Sequence, residues 1–166
     1  MHRQLWLIFA VFLVAAVRVS DRSAVLAQEA RPATPADGLV GQQVTACTYD
    51  ADLAVTVTGV DWTPVVADGV APDGSSFVVA LLAVTNLADK TEALTSRPLE
   101  LVDAAGTHYL VQEDPPDASL VAEAYGVQPP WQEFDPGVTT ASVVTFLVPG
   151  TVDGLTLLGR RDYCAA

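Results

Sequence analysis

Cysteine and positive charge are both scarce in this chain of 166 residues, and each scarcity excludes a class of function. Two cysteines and two histidines, far apart in sequence, do not give the ligand spacing of a zinc site. Acidic residues outnumber basic ones by 20 to 8, and Lys90 is the single lysine. Nucleic acids and anionic membrane surfaces attract basic segments, so we expect neither as a partner. The acidity indicates solubility outside the cell, or else a cationic ligand.

A recognisable catalytic motif is also lacking. No Gly-x-Ser-x-Gly nucleophile elbow is present to accompany His108, which we expect on the solvent side of a strand. Carboxylates cluster at Asp50 and Asp52 and within residues 113–117, but a glycosidase needs two carboxyls about 5 to 9 Å apart across a cleft. The EF-hand pattern is absent, and Asp50 with Asp52 is a minimal calcium signal. We therefore expect no enzyme, no metal and no cofactor.

The N-terminus carries an apolar run, residues 5–17, after a short basic start. Thirteen residues are typical of a secretory signal peptide, whereas a membrane-spanning helix needs about 20. Small or apolar residues at 25–27 predict cleavage before Gln28, so that residues 1–27 are the signal peptide. Cleavage after residues 14–16 is an earlier alternative.

A retained membrane anchor is the competing interpretation, because Arg18, Asp21 and Arg22 make the cleavage region unusually polar. No cysteine follows either cleavage site closely enough for lipid attachment. After cleavage, 19 acidic and five basic residues remain, a net charge of −14. We expect the mature protein to be secreted or extracytoplasmic, with no stable membrane insertion.

Both cysteines, Cys47 and Cys164, belong to the mature chain, and export implies an oxidising compartment. We therefore expect a disulfide between them. Closing a loop of 117 residues would stabilise the fold by roughly 4 to 5 kcal/mol in the entropic model. The bond requires the first and last strands of the domain to be neighbours, because its Cα atoms must lie within about 7 Å.

Residues 28–43 are rich in alanine, proline and glycine without apolar periodicity, which predicts a flexible stalk before a folded domain of residues 44–166. Alternation predicts a half-buried strand at 53–60, and an unbroken apolar stretch predicts a central strand at 77–84, covered on both faces. The breaker-rich stretch between them predicts a loop. Further strands are expected at 99–102, 107–111, 139–148 and 155–158, the first two forming a hairpin.

About six strands separated by turn signals predict an all-β sandwich. One stretch departs from that pattern, because Asp117 can cap a short helix over residues 118–125 that Gly126 can end. We expect this helix to lie across one end of the sandwich. No internal repeat of about 20 to 50 residues is visible, so a solenoid or propeller is not expected.

Five short segments, taken in their order along the chain, resemble segments of a known protein family. They read GSSFVV at 74–79, VTN at 84–86, LVDAAGTHY at 101–109, FDPG at 134–137 and VTFLVP at 144–149. Together they resemble exported bacterial immunoglobulin-like domains of unknown function, which are similar to secreted mycobacterial antigens of sandwich fold. The resemblance covers residues 53–158. It implies an immunoglobulin-like antiparallel β-sandwich of about six to eight strands outside the membrane, with no known cofactor and no established activity.

Residues 125–135 are the best candidate for binding. Two prolines hold Trp131 on a stiff, extended loop beside Glu133 and Asp135, with Tyr125 at the start. Aromatic side chains in such places anchor partners. The competing interpretation is that Trp131 closes the open end of the core.

The sequence thus predicts an exported, non-enzymatic binding domain whose partner is a protein or a cell-envelope component. A structural spacer domain of an envelope assembly is the first alternative. A hydrolase that uses carboxylates or His108 is the second.

Overall fold

Antiparallel strands dominate the part of the chain that the structure, a computed structural model, describes: residues 37–48, 51–94 and 98–160. All of these residues belong to one unit, Pro32–Ala166. The strands are β1 (Gln43–Cys47), β2 (Asp52–Thr63), β3 (Val65–Val66), β4 (Gly69–Val70), β5 (Ser75–Asn86), β6 (Glu92–Ala93), β7 (Leu99–Val102), β8 (His108–Leu110), β9 (Glu133–Phe134), β10 (Thr139–Pro149) and β11 (Thr156–Gly159). The described helices are α1 (Ala118–Tyr125) and a 3-10 helix at Asp37–Leu39.

Two antiparallel sheets form a β-sandwich. The larger has the strand order β1-β2-β5-β10, and the smaller has the order β11-β7-β8. Two short pairs, β3 with β4 and β6 with β9, accompany them. The expected all-β fold with one short helix is therefore confirmed. The expected hairpin also forms, with β7 and β8 paired from Val102 opposite His108 to Glu100 opposite Leu110.

The main core lies between the inner faces of the two sheets. Alternate side chains of each long strand point into it, because successive residues of a strand face opposite sides. Leu53, Val55 and Val57 of β2 are almost fully buried there, and they pack in the same cluster as Leu101 of β7 and Leu157 of β11. Removal of these side chains from water is the main favourable contribution to folding.

The edge strands of the two sheets contact each other along both sides of the sandwich. On one side, just after β8, the Gln112 N–H donates to the Thr145 carbonyl oxygen of β10 at 2.7 Å. On the other side β11 lies so close to β1 that a side chain at Gly159 would overlap the Thr45 carbonyl oxygen. Exposed strand edges invite pairing with other chains, so these contacts also limit aggregation.

Strand β5 is buried on both faces from Phe77 to Ala80, as its apolar sequence predicts, whereas its outward side chains at Leu81, Ala83 and Thr85 are half-buried. Inward side chains such as Val78 join the main core, whereas Phe77 and Val79 point outward into a second apolar cluster. Helix α1 supplies Val121 and Ala122 to that second cluster. The helix therefore packs on the outer face of the larger sheet and not across one end of the sandwich, because the outward apolar residues of β5 need cover.

The folded region starts before residue 44, the start expected from the sequence. Leu39 is completely buried in the main core, so residues 37–43 belong to the domain and not to a stalk. The expected signal peptide and the rest of the expected stalk, residues 1–36, lie outside the described part of the chain.

The stretch 61–76, expected to be a loop, contains strand as well. Strand β2 continues to Thr63, and β3 and β4 form a small hairpin in which Val65 pairs with Val70. In the described ranges, no helix is both long and apolar enough to cross a bilayer.

Candidate functional site

Residues 126–135 follow α1 and carry most of the candidate binding residues; they are named here the Trp131 loop. Gly126 ends the helix in the left-handed conformation, with φ 66° and ψ 34°, which glycine adopts without steric cost. The loop then runs beside the edge strand β10. The Gln128 N–H donates to the Ala141 carbonyl oxygen at 3.1 Å, and Ser142 Oγ donates to the Gln128 carbonyl oxygen at 2.8 Å.

The far end of the loop is fastened to the main core. Phe134 is almost fully buried there, and its carbonyl oxygen accepts a hydrogen bond from Nδ2 of the buried Asn86 at 2.8 Å. Gln128 Nε2 donates across the loop to the Glu133 carbonyl oxygen at 3.1 Å. Both ends of the loop are therefore held by side chains as well as by backbone bonds.

Trp131 lies in a turn between these two ends. The turn is closed by a hydrogen bond of 3.1 Å from the Gln132 N–H to the Pro129 carbonyl oxygen. Trp131 remains 48% exposed, although the neighbouring Pro130 is buried. About half of the Trp131 side chain is therefore in contact with water, whereas Trp62 is partly buried and packs against the main core.

The other expected binding residues do not all share this surface. Glu133 and Asp135 are exposed on the Trp131 loop. The Tyr125 hydroxyl, however, donates to Oδ2 of Asp61 on β2 at 2.6 Å. Burial, followed by that hydrogen bond, raises the pKa of Tyr125 well above its usual range. Tyr125 thus ties α1 to the larger sheet, a role that the sequence could not reveal because 64 residues separate it from Asp61.

Two of the residues considered for catalysis, His108 and Asp117, have structural partners. His108 Nδ1 lies 3.2 Å from Glu100 Oε1, and the histidine side chain is 55% exposed. Asp117 accepts a hydrogen bond from the Ser119 N–H at 2.7 Å and so caps α1. Asp50 lies outside the described residues. Within residues 37–48, 51–94 and 98–160, no three His, Cys, Asp or Glu side chains form a group that could hold a metal ion.

Cys47 ends strand β1 and is only 3% exposed. Cys164 lies outside the described residues, so its pairing with Cys47 stays a prediction. Strand β11, which precedes Cys164 in the chain, lies against β1 at Gly159 and Thr45. The first and last strands of the described region are therefore neighbours.

A depression of about 340 Å³ lies on the outer face of the larger sheet. No sequence motif marks it, because its residues come from four strands whose order depends on long-range pairing. The residues around it are mostly small or carry hydroxyl groups: Gln43, Val44, Thr45, Ala54, Val55, Thr56, Ala83, Thr85 and Thr139.

No protein-family model matches the chain, and no curated protein matches it either. Among solved structures, a conserved hypothetical protein from Bacillus anthracis is similar, with a TM-score of 0.48 and 21% identity over 71% of this chain and 87% of that one. An uncharacterized β-sandwich protein from Clostridium difficile 630 has a TM-score of 0.43 and 13% identity over 74% of this chain and 91% of that one.

A chain from Bacillus subtilis that is described as a lipoprotein has a TM-score of 0.42 and 15% identity. That match covers 65% of this chain but 30% of the Bacillus subtilis chain. None of these three proteins is described with a ligand or a reaction, and none is described as immunoglobulin-like or as a mycobacterial antigen.

Proposed function

We propose that this chain is a non-enzymatic binding domain that holds a protein or a cell-envelope component through the Trp131 loop. The observation that supports this most is Trp131 itself, which is 48% exposed on a loop fastened at both ends. Tryptophan is among the side chains that contribute most to binding energy at protein interfaces. Its large apolar surface gains free energy when a partner removes it from water.

A loop that is already held in place should bind a partner more tightly, because less free energy is spent on ordering it. Binding commonly costs about 0.5 to 1.5 kcal/mol for each flexible side chain that becomes ordered, and ordering a loop adds to this cost. Hydrogen bonds from Asn86, Gln128 and Ser142 hold the loop before any partner arrives. The exposed Glu133 and Asp135 place negative charge on the same loop as Trp131, which favours a partner that carries basic groups.

The proposal includes a location outside the cytoplasm, secreted or in the cell envelope. The apolar run at residues 5–17 supports removal of a leader, and the net charge of −12 for the full chain suits solubility after export. In that oxidising compartment Cys47 and Cys164 are joined as a disulfide. The domain has an immunoglobulin-like character and works without a cofactor, without nucleic acid and without stable insertion in a membrane.

The test compares Trp131→Ala with Leu110→Ala. The control removes another exposed apolar side chain, 58% exposed, from strand β8 of the smaller sheet. Each protein is immobilised and exposed to an envelope extract from the native cells, the captured material is quantified, and thermal unfolding is recorded. We expect Trp131→Ala to weaken capture on the order of tenfold or more with unchanged unfolding, and Leu110→Ala to capture normally.

Equal capture by the two variants would remove Trp131 from the function. It would favour a spacer domain that contacts its neighbours through other surfaces. An unfolding temperature lowered in Trp131→Ala alone would assign the tryptophan to stability and not to binding.

A further inference from the structure

The depression on the outer face of the larger sheet is built from two rows of outward side chains. The first row runs across three strands through Gln43, Thr56 and Ala83. The second row runs across four strands through Thr45, Ala54, Thr85 and Thr139. Because neighbouring strands lie about 4.8 Å apart, the threonine side chains and the methyl groups of the two alanines lie side by side at that spacing over the surface.

The depression exists because the outward side chains of β5 change in size along the strand. Where α1 covers the sheet, β5 presents Phe77 and Val79, which fill the space beneath the helix. Further along the same face it presents Ala83 and Thr85, which leave the space of about 340 Å³. A volume of that size is in the range of small-molecule binding sites.

The lining is uncharged although the protein is strongly acidic. Of the described residues around the depression, none carries a charge, whereas the whole chain has 20 acidic and 8 basic residues. A cation would find no carboxylate there, and an anion would be repelled by the net charge. A wholly apolar ligand would remove water from five hydroxyl or amide side chains without replacing their hydrogen bonds. The lining therefore selects a neutral ligand with hydroxyl groups of its own.

Two of the hydroxyls are already oriented. The Oγ1 atoms of Thr85 and Thr139 lie 2.7 Å apart and share one hydrogen bond. A hydroxyl has one donor and two acceptor positions, so the pair keeps one donor and several acceptor positions for a ligand. Such a chain of hydroxyls strengthens each further bond through mutual polarisation.

From this geometry we propose that the depression binds a neutral carbohydrate. A sugar ring presents hydroxyl groups around its rim and C–H groups on its faces. The hydroxyl groups of the sugar can form hydrogen bonds with Thr45, Thr56, Thr85 and Thr139. Its C–H groups can contact the methyl groups of Ala54 and Ala83. The residues that line the depression do not belong to the Trp131 loop, so either proposal can fail without the other.

The experiment follows backbone amide signals of isotope-labelled protein by NMR while oligosaccharides are added. The neutral probes are cellohexaose, maltohexaose and the hexamer of N-acetylglucosamine, and the hexamer of galacturonic acid is the charged control. We expect at least one neutral probe to shift the amides of Thr45, Ala83 and Thr85, with a Kd of about 1 mM. The charged hexamer should leave those amides unmoved.

Three variants distinguish binding at the residues that line the depression from nonspecific binding elsewhere on the protein. Thr85→Val keeps the shape of the side chain but loses its hydroxyl, and it should weaken binding about tenfold. Ala83→Leu fills the depression and should abolish binding. Thr156→Val makes the same chemical change on β11 of the smaller sheet, where the residue is exposed, and it should bind like the parent. Thermal unfolding of each variant confirms that it folds.

Several outcomes would overturn the proposal. One is the absence of shifts at these amides with every neutral probe at about 10 mM, a concentration that would nearly saturate a millimolar site. Equal shifts with the charged hexamer are another. A third is a set of shifts that depends on protein concentration alone, because a second copy of the chain would then occupy the face.

Discussion

The Asp103 carboxylate organises the turn between β7 and β8. Its Oδ1 accepts hydrogen bonds from the N–H groups of Ala105 at 2.9 Å and Thr107 at 2.8 Å, and its Oδ2 accepts one from the Tyr109 hydroxyl at 2.8 Å. These bonds, the Thr107 backbone bond most of all and then Tyr109, lower the pKa of Asp103 below its ordinary 3.8. A carboxyl whose pKa is lower in the folded than in the unfolded state stabilises the fold above its ordinary pKa. That contribution is lost as the pH falls through the lowered value.

Asp103→Asn should therefore reduce stability near neutral pH, because the amide carries no charge and its nitrogen cannot accept the hydrogen bond that Oδ2 takes from the Tyr109 hydroxyl. The deficit relative to the parent should shrink below about pH 4, as the parent carboxyl becomes protonated. Urea unfolding at a series of pH values measures both effects, and Asp153→Asn at an exposed position serves as the control. A deficit that stays constant down to about pH 2 would show that the charge of Asp103 does not matter.

For single residues, the local conformation of the chain could be predicted from the sequence, but the contacts of the side chain could not. The prolines before Trp131 identified a stiff loop, but they left open whether the indole faces water or the core. Proximity in sequence grouped Tyr125 with Trp131, whereas the Tyr125 hydroxyl is bonded to Asp61 of a distant strand. The contacts of a side chain depend on which elements become neighbours, and no local pattern contains that information.

Helix α1 begins and ends where its sequence predicts. Asp117 supplies the cap and Gly126 the left-handed end, and both signals act within a few residues. The packing of the helix is not local. Val121 and Ala122 form an apolar stripe that several surfaces could cover, and the outer face of β5, with Phe77, provides the surface that the helix covers.

Asp117→Ala should destabilise the protein by about 1 kcal/mol, the usual cost of removing a helix N-cap. Two bonds would be lost, from the N–H groups of Ser119 at 2.7 Å and Leu120 at 3.4 Å. Urea unfolding gives the difference. Ser119→Ala, exposed in the first turn of the helix, should leave stability nearly unchanged. Equal effects from the two substitutions would mean that the cap contributes nothing measurable.

At the scale of the whole molecule, the positions of the long strands and the pairing of β7 with β8 were predictable, whereas the partners of strands far apart in the chain were not. Alternation and turn residues placed the strands at 53–60, 77–84 and 139–148 to within a few residues of β2, β5 and β10. Their order in the larger sheet depends on contacts between residues far apart in the chain. The depression on the face of that sheet could not be predicted for the same reason.

The predicted disulfide between Cys47 and Cys164 would also act on the whole domain, because it would join two distant parts of the chain. Thiol titration of the exported protein in denaturant, without reductant, should find no free thiol. Reduction should lower stability by roughly 4 to 5 kcal/mol in the entropic model. Two reactive thiols in the protein as purified would contradict both the bond and the oxidising compartment proposed for this domain.

The proposed function requires that the Trp131 side chain be exposed to water and yet held in a fixed position on the domain. Fluorescence tests both properties directly. Acrylamide quenching and time-resolved anisotropy of the parent are compared with Trp131→Phe, so that the difference reports Trp131, and Trp62→Phe is the control for the partly buried indole. We expect the Trp131 emission to be strongly quenched while its anisotropy decays with the tumbling of the whole domain. An indole shielded from acrylamide, or one that rotates independently within about a nanosecond, would contradict a pre-ordered binding surface.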